Sequence, residues 1–107
     1  MPAAYKMYPS EIKLLTHDFS PATGGAFNDP LTDTPVDPAI TITRVSGTGT
    51  LALVGSATRY TNTVTELVTA AAAVAADVYI VECLVYTTAG QRLQDNIQIT
   101  IRTATEV

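Results

Sequence analysis

Tryptophan is missing from this chain of 107 residues, cysteine and histidine occur once each, and lysine is confined to Lys6 and Lys13. Each scarcity excludes something. A lone Cys83 cannot form an intrachain disulfide, so the fold is not a disulfide-stapled mini-domain. The six basic residues (Lys6, Lys13, Arg44, Arg59, Arg92 and Arg102) are scattered, and the net charge is −4. Nucleic acid needs clustered Lys and Arg, so it is not the expected partner. No basic amphipathic helix points to a membrane surface, and no apolar run approaches the ~18 residues that cross a bilayer. The opening MPAAYKMYPSEIK lacks the apolar stretch of a secretory leader. A soluble protein made in the cytosol is expected.

Charge is scarce altogether: 15% of residues are Asp, Glu, Lys or Arg, against the usual ~25%. Apolar residues make up 47%, enough for one modest core in a single domain, and that core must be built from Val, Ile, Leu and Ala. Threonine is abundant; it is β-branched, favours strands and solvates a surface without charge.

The composition changes near residue 38. All six prolines (Pro2, Pro9, Pro21, Pro30, Pro35 and Pro38) fall in residues 1–38, with Gly24-Gly25 between them. Prolines spaced in this way bar long helices and central strands. Residues 1–38 therefore read as an extended arm and loop with one short apolar segment, Ile12-Lys13-Leu14-Leu15, able to pair at an edge. Such an arm wraps its own domain or reaches a neighbour.

Residues 39–107 read as the folded body. AITITRV at 39–45 alternates Ile40 and Ile42 against Thr41 and Thr43, the period of a half-buried strand. Ser46 to Gly49 form a turn, and TLALV at 50–54 is a short strand closed by Gly55-Ser56. Residues 58–69 alternate again, with Val64 and Val68 on one parity. The alanine run at 69–76 is too short to sustain a helix and is expected to give one helical turn or a loop. Val78 to Thr87 is apolar on both parities, as in a central or covered strand. A hairpin connection at 87–91 leads to residues 92–102, where Leu93, Ile97, Ile99 and Ile101 point inward and Gln94, Asn96, Gln98, Thr100 and Arg102 point out. About six to seven short antiparallel strands without a helix predict an all-β sandwich or small barrel.

Chemistry-bearing residues are few. His17 is flanked by Asp18, but neighbours on a strand face opposite ways, and Ser20 lacks a G-x-S-x-G elbow. Asp29, Asp33 and Asp37 recur every fourth residue in a Pro-rich loop, as oxygen ligands of a hard cation would, yet without the EF-hand pattern. Glu66 and Glu82, each among apolar residues, could serve as an acid–base pair only if the fold brought them together. Gly24-Gly25 and Gly47-x-Gly49 lack a phosphate-loop context and read as turns. Cys83 reads as a small buried hydrophobe. No cofactor, resident metal or enzymatic activity is expected. Five tyrosines against two phenylalanines suit an interface instead. Tyr5, Tyr8, Ile12, Leu14 and Leu15 on the arm, with Tyr60 and Tyr86 on the body, are the candidate partner contacts.

The segment DVYIVECLVYTTAGQRLQDNIQITI at 77–101 resembles the final hairpin of small immunoglobulin-like proteins encoded among the head genes of tailed bacteriophages. Tyr79, Thr87-Thr88-Ala89-Gly90, Arg92 and the alternating last strand carry the resemblance, and AITITRV is similar to their first core strand. Residues 18–38 depart from that family, holding a long Pro/Asp/Thr loop where it usually has a Trp-containing segment. The resemblance implies an Ig-like β-sandwich and a virion structural protein: a capsid cement or decoration protein on the capsid surface that binds and stabilises major capsid protein subunits. It also implies a homo-oligomer, a trimer about a local symmetry axis fitting best. A head–tail or tail accessory protein, or a fibre adhesion module binding a host receptor or glycan, is the alternative. If the arm makes the contacts, deleting residues 1–15 should leave a folded domain that no longer binds.

Overall fold

The computed structural model describes residues 3–19, 30–33 and 37–103. Eight strands account for most of them: β1 (Ala3–Met7), β2 (Ile12–Asp18), β3 (Leu31–Thr32), β4 (Ala39–Ser46), β5 (Thr50–Arg59), β6 (Thr63–Ala72), β7 (Val78–Thr87) and β8 (Arg92–Ile101). No helix occurs among the described residues. The fold is all-β and forms a two-sheet sandwich.

One sheet runs β1-β8-β7, and the far edge of β7 is shared by β4 and the two-residue β3. The other runs β2-β6-β5. β1 lies parallel to β8; every other pairing is antiparallel. Alternation decides which side chains meet between the sheets. On β7, Tyr79, Val81, Cys83 and Val85 are buried, while Ile80, Glu82, Leu84 and Tyr86 on the other face are half-buried. On β8, Ile97, Ile99 and Ile101 are fully buried. These residues, with Met7, Leu15, Leu51, Val68, Ala70, Tyr79 and Val81, form the larger of two core clusters. Phe19, Leu31, Val64, Cys83 and Val85 form the smaller.

Residues 3–18 are not a free arm. They supply β1 to one sheet and β2 to the other, crossing between them at residues 8–11. The crossing is pinned by backbone bonds from Ser10 N to the Ala70 carbonyl and from Ala70 N to the Glu11 carbonyl. Proline is tolerated because Pro9 falls in this turn and the edge strands themselves contain none.

Two further expectations change. The alanine run does not turn helically: β6 continues as a strand to Ala72, across a register shift against β5 between Thr50 and Ala52, and only residues 73–77 form a turn. The stretch 58–69 is not one strand. A turn at 60–62, closed by Tyr60 N donating to the Thr63 carbonyl, separates β5 from β6. β5 instead runs on through Gly55, whose φ of 72° sits in a register shift between Val54 and Thr58. That left-handed conformation is cheap only for glycine.

Asp77 ties the sandwich together at one end. Its carboxylate accepts from Thr48 N, Gly49 N, Val74 N and the Tyr79 hydroxyl, the last at 2.6 Å. It thereby joins the β4–β5 turn to the β6–β7 connection. The Tyr79 hydroxyl bond, opposed by burial and helped by the three amides, holds the Asp77 carboxyl below its ordinary value. Tyr79 is pushed up to about 12 by burial and then by Asp77.

Candidate interaction surface and a buried polar cluster

The outward face of the three-stranded sheet is built by register. Reading across β2, β6 and β5, Ile12 pairs Thr69 and Ala52, Leu14 pairs Leu67 and Val54, and Thr16 pairs Thr65 and Thr58. None of these nine side chains is charged. Leu14 is 58% exposed, Leu67 39% and Val54 39%, so an aliphatic row crosses the sheet in open water. Sheet faces turned to solvent normally alternate to polar, so a contiguous apolar row on one is a candidate contact surface.

The residues expected as partner contacts divide into three groups. Tyr5, Tyr8, Ile12 and Leu14 are exposed on the flank formed by β1 and β2. The two tyrosine rings there already carry cations: Lys13 Nζ lies 5.3 Å from the Tyr5 centroid, and the Arg102 guanidinium lies 4.6 Å from that of Tyr8. Leu15 does not belong with them. At 1% exposure it is a core residue, because it shares the inward parity of His17. Removing residues 1–15 would therefore strip Met7 and Leu15 from the core as well as any contact surface. Tyr60, exposed, and Tyr86, half-buried, lie at the β3 end of the sandwich, where the Thr61 carbonyl accepts from Leu31 N and Thr32 pairs Tyr86. Leu67 and Val54 are the contributors that sequence reasoning missed. Leu67 was legible as the parity opposite to Val64 and Val68.

The candidate chemical residues are placed as follows. Asp33 and Arg59 form an ion pair, with Arg59 Nε donating to Asp33 Oδ1 at 2.6 Å. Asp37 is exposed, and Asp29 lies outside the described residues. An open cleft of about 460 Å³ between β4 and β5 is lined by Asp33, Asp37, Arg59 and apolar neighbours including Ile40 and Leu53. Among the described residues no group of three or more His, Cys, Asp or Glu could hold a metal ion. Glu66 and Glu82 are not brought together: Glu66 is buried in one sheet, while Glu82 sits on the outer face of the other and accepts from Gln94 Nε2.

Glu66 meets His17 instead. His17 is fully buried, with Nε2 2.6 Å from Glu66 Oε2 and Nδ1 2.7 Å from Asp95 Oδ2. Burial disfavours the imidazolium, but hydrogen bonds and charge from Glu66, and then from Asp95, outweigh it, so the His17 pKa is raised above 6.5. Cys83 lies close by. Burial, followed by the charges of Glu66 and Asp95, pushes its thiol up to about 12. A thiol so placed is a poor nucleophile. The histidine is therefore enclosed between the sheets rather than presented to a substrate.

No family model matches this sequence, and no curated protein matches it.

Proposed function

We propose that this chain is a virion structural protein of a tailed phage, an Ig-like capsid cement or decoration protein whose β2–β6–β5 face docks on major capsid subunits. The observation that carries the reading is the uncharged row Leu14–Leu67–Val54 on an outward sheet face. Burying such side chains contributes about 1.5–3 kcal/mol each when fully covered. A protein with a net charge of −4 that keeps this row free of charge can bind protein loops without attracting packaged DNA.

The strand order supports the Ig-like part. β2-β6-β5 correspond to strands B, E and D of an immunoglobulin sandwich, and β8-β7-β4 to G, F and C. Tyr79 near the start of β7 resembles the tyrosine corner of that fold, with its hydroxyl donating to the Asp77 side chain rather than to backbone. The hairpin resemblance at 77–101 supplies the virion context and, with it, a homo-oligomer on the capsid surface.

The test is a double variant, Leu14→Glu with Leu67→Glu, co-sedimented with capsids that lack the protein. Both positions are exposed, so the variant should fold like the parent by circular dichroism. Capsid binding should fall more than about tenfold, since two charges must be desolvated at the contact. Undiminished binding by a folded variant contradicts the assigned face.

A further inference from the structure

Three strands place an ionisable residue at the same level of the core. β2 reads Leu15–His17–Phe19 on its inward parity, β6 reads Val68–Glu66–Val64, and β8 reads Ile97–Asp95–Leu93. In each case one apolar neighbour packs in the larger core cluster and the other in or against the smaller. The polar cluster is thus the seam between the two halves of the core. It is also a bridge between sheets, because His17 and Glu66 belong to β2-β6-β5 and Asp95 to the sheet of β7 and β8.

Proton counting constrains this seam. A neutral imidazole offers one N–H donor and one bare nitrogen acceptor, whereas a carboxylate is acceptor only. With a carboxylate oxygen within 2.7 Å of each ring nitrogen, only an imidazolium satisfies both, or else one carboxyl must carry the proton. Loss of that proton sets two acceptors against each other. The two partners are not equally free to move. Glu66 is held with its side chain 1% exposed, and its Oε1 has no hydrogen-bond partner, while the Asp95 side chain is 33% exposed. Asp95 reaches water with little rearrangement; Glu66 does not.

We propose that Glu66, His17 and Asp95 form a proton-operated clasp between the two sheets, closed while the cluster holds its proton and opened by its loss, with Asp95 the arm that swings to solvent. The ionisable groups facing His17 are Glu66 from β6, Asp95 from β8 and Cys83 from β7; Asp18, next on β2, is exposed on the opposite face. Arg59 is engaged by Asp33, and Lys13 lies over Tyr5. Because the native His17 pKa is raised, the clasp contributes fully below the unfolded value of 6.5 and is lost as pH rises through the native value. Raising the pH through that native value, not lowering it, releases the clasp.

The experiment is a pH titration of the full chain by NMR, reading the His17 ring nitrogens and the exchange of backbone amides at 93–97. His17 should show both nitrogens protonated in the closed state and should lose a proton only above the ordinary 6.5. Opening at 93–97, corrected for intrinsic exchange, should rise about tenfold per pH unit from 6.5 to the native pKa. Asp95→Asn, at a partly exposed position that keeps an acceptor oxygen, should lower the His17 pKa and shrink the alkaline rise, Glu66 sustaining what remains. A native His17 that loses its proton at or below 6.5, with the proton on neither carboxyl, overturns the clasp. So does an alkaline rise undiminished in Asp95→Asn. Should that variant fail to fold, the parent's ring signals and amide exchange decide alone.

Discussion

Replacing Ile99 with Asp tests the register on which the sandwich depends. Ile99 pairs with Tyr5 on β1 and with Tyr79 on β7, and it is fully buried in the larger core cluster. Losing the side chain from this site forfeits about 1.5–3 kcal/mol of burial. The new carboxylate costs several kcal/mol more, because every inward neighbour on β8 from Ile97 to Ile101 is apolar and no cation waits there. Together the two reach about 5 kcal/mol or more, against a total stability of about 5–15 kcal/mol for a domain of this size. Ile99→Asp should therefore be unfolded or marginal in urea denaturation followed by far-ultraviolet circular dichroism. The control is one residue away. Gln98 pairs with Ala4 and Ile80 on the outer face and is exposed, so Gln98→Asp should shift stability by no more than about 1 kcal/mol. A folded Ile99→Asp protein, or a Gln98→Asp protein that unfolds instead, would refute the alternation of β8.

Three other outcomes follow from particular contacts. A Cβ at Gly49 would lie 2.6 Å from both Asp77 Oδ2 and Val74 N and 2.8 Å from the Ala72 carbonyl, so Gly49→Ala should cost about 1–3 kcal/mol in chemical denaturation; an unchanged midpoint would mean the Asp77 knot is looser than described. The Asp77 pKa is depressed, so its contribution is present above the ordinary 3.8 and is lost as pH falls through the native value. Asp77→Asn should lower Tm at neutral pH and flatten the acid limb, and an acid limb identical to the parent's would contradict the assignment. Cys83, with its thiol up to about 12 rather than 9.0, carries about a thousandfold less thiolate than an ordinary thiol at neutral pH. Labelling by a disulfide reagent should be slow in native protein and fast in urea, and rapid native labelling would count against its burial.

Strands β4 and β8 were legible because aliphatic residues recur at alternate positions over most of their length, and β7 because its long apolar run is bounded by turn signals. β1 and β2 were obscured by proline. Composition over residues 1–38 signals an irregular arm, but a proline in a crossing turn leaves the strands on either side intact. Leu15 was misplaced for the same reason: as part of an arm its face was arbitrary, whereas pairing with Glu66 on β6 fixes it inward. The buried cluster was hidden by a different habit. Asp95 and Glu66 are polar residues on otherwise apolar parities, and strand patterns are read by ignoring such exceptions. Two acidic exceptions and a single histidine, each at an inward position, are a signal that charge complementarity could have joined. Which strands face one another cannot be read from periodicity, because alternation fixes a face and not a neighbour.

The central claim is attachment to a capsid through the uncharged row Leu14–Leu67–Val54. The most direct measurement is a quantified gel of purified particles, with this chain scaled against the major capsid subunit. A cement protein should be present at a stoichiometry comparable with that subunit and should leave the particle together with capsid stability when stripped. A handful of copies per particle, or none, would contradict it.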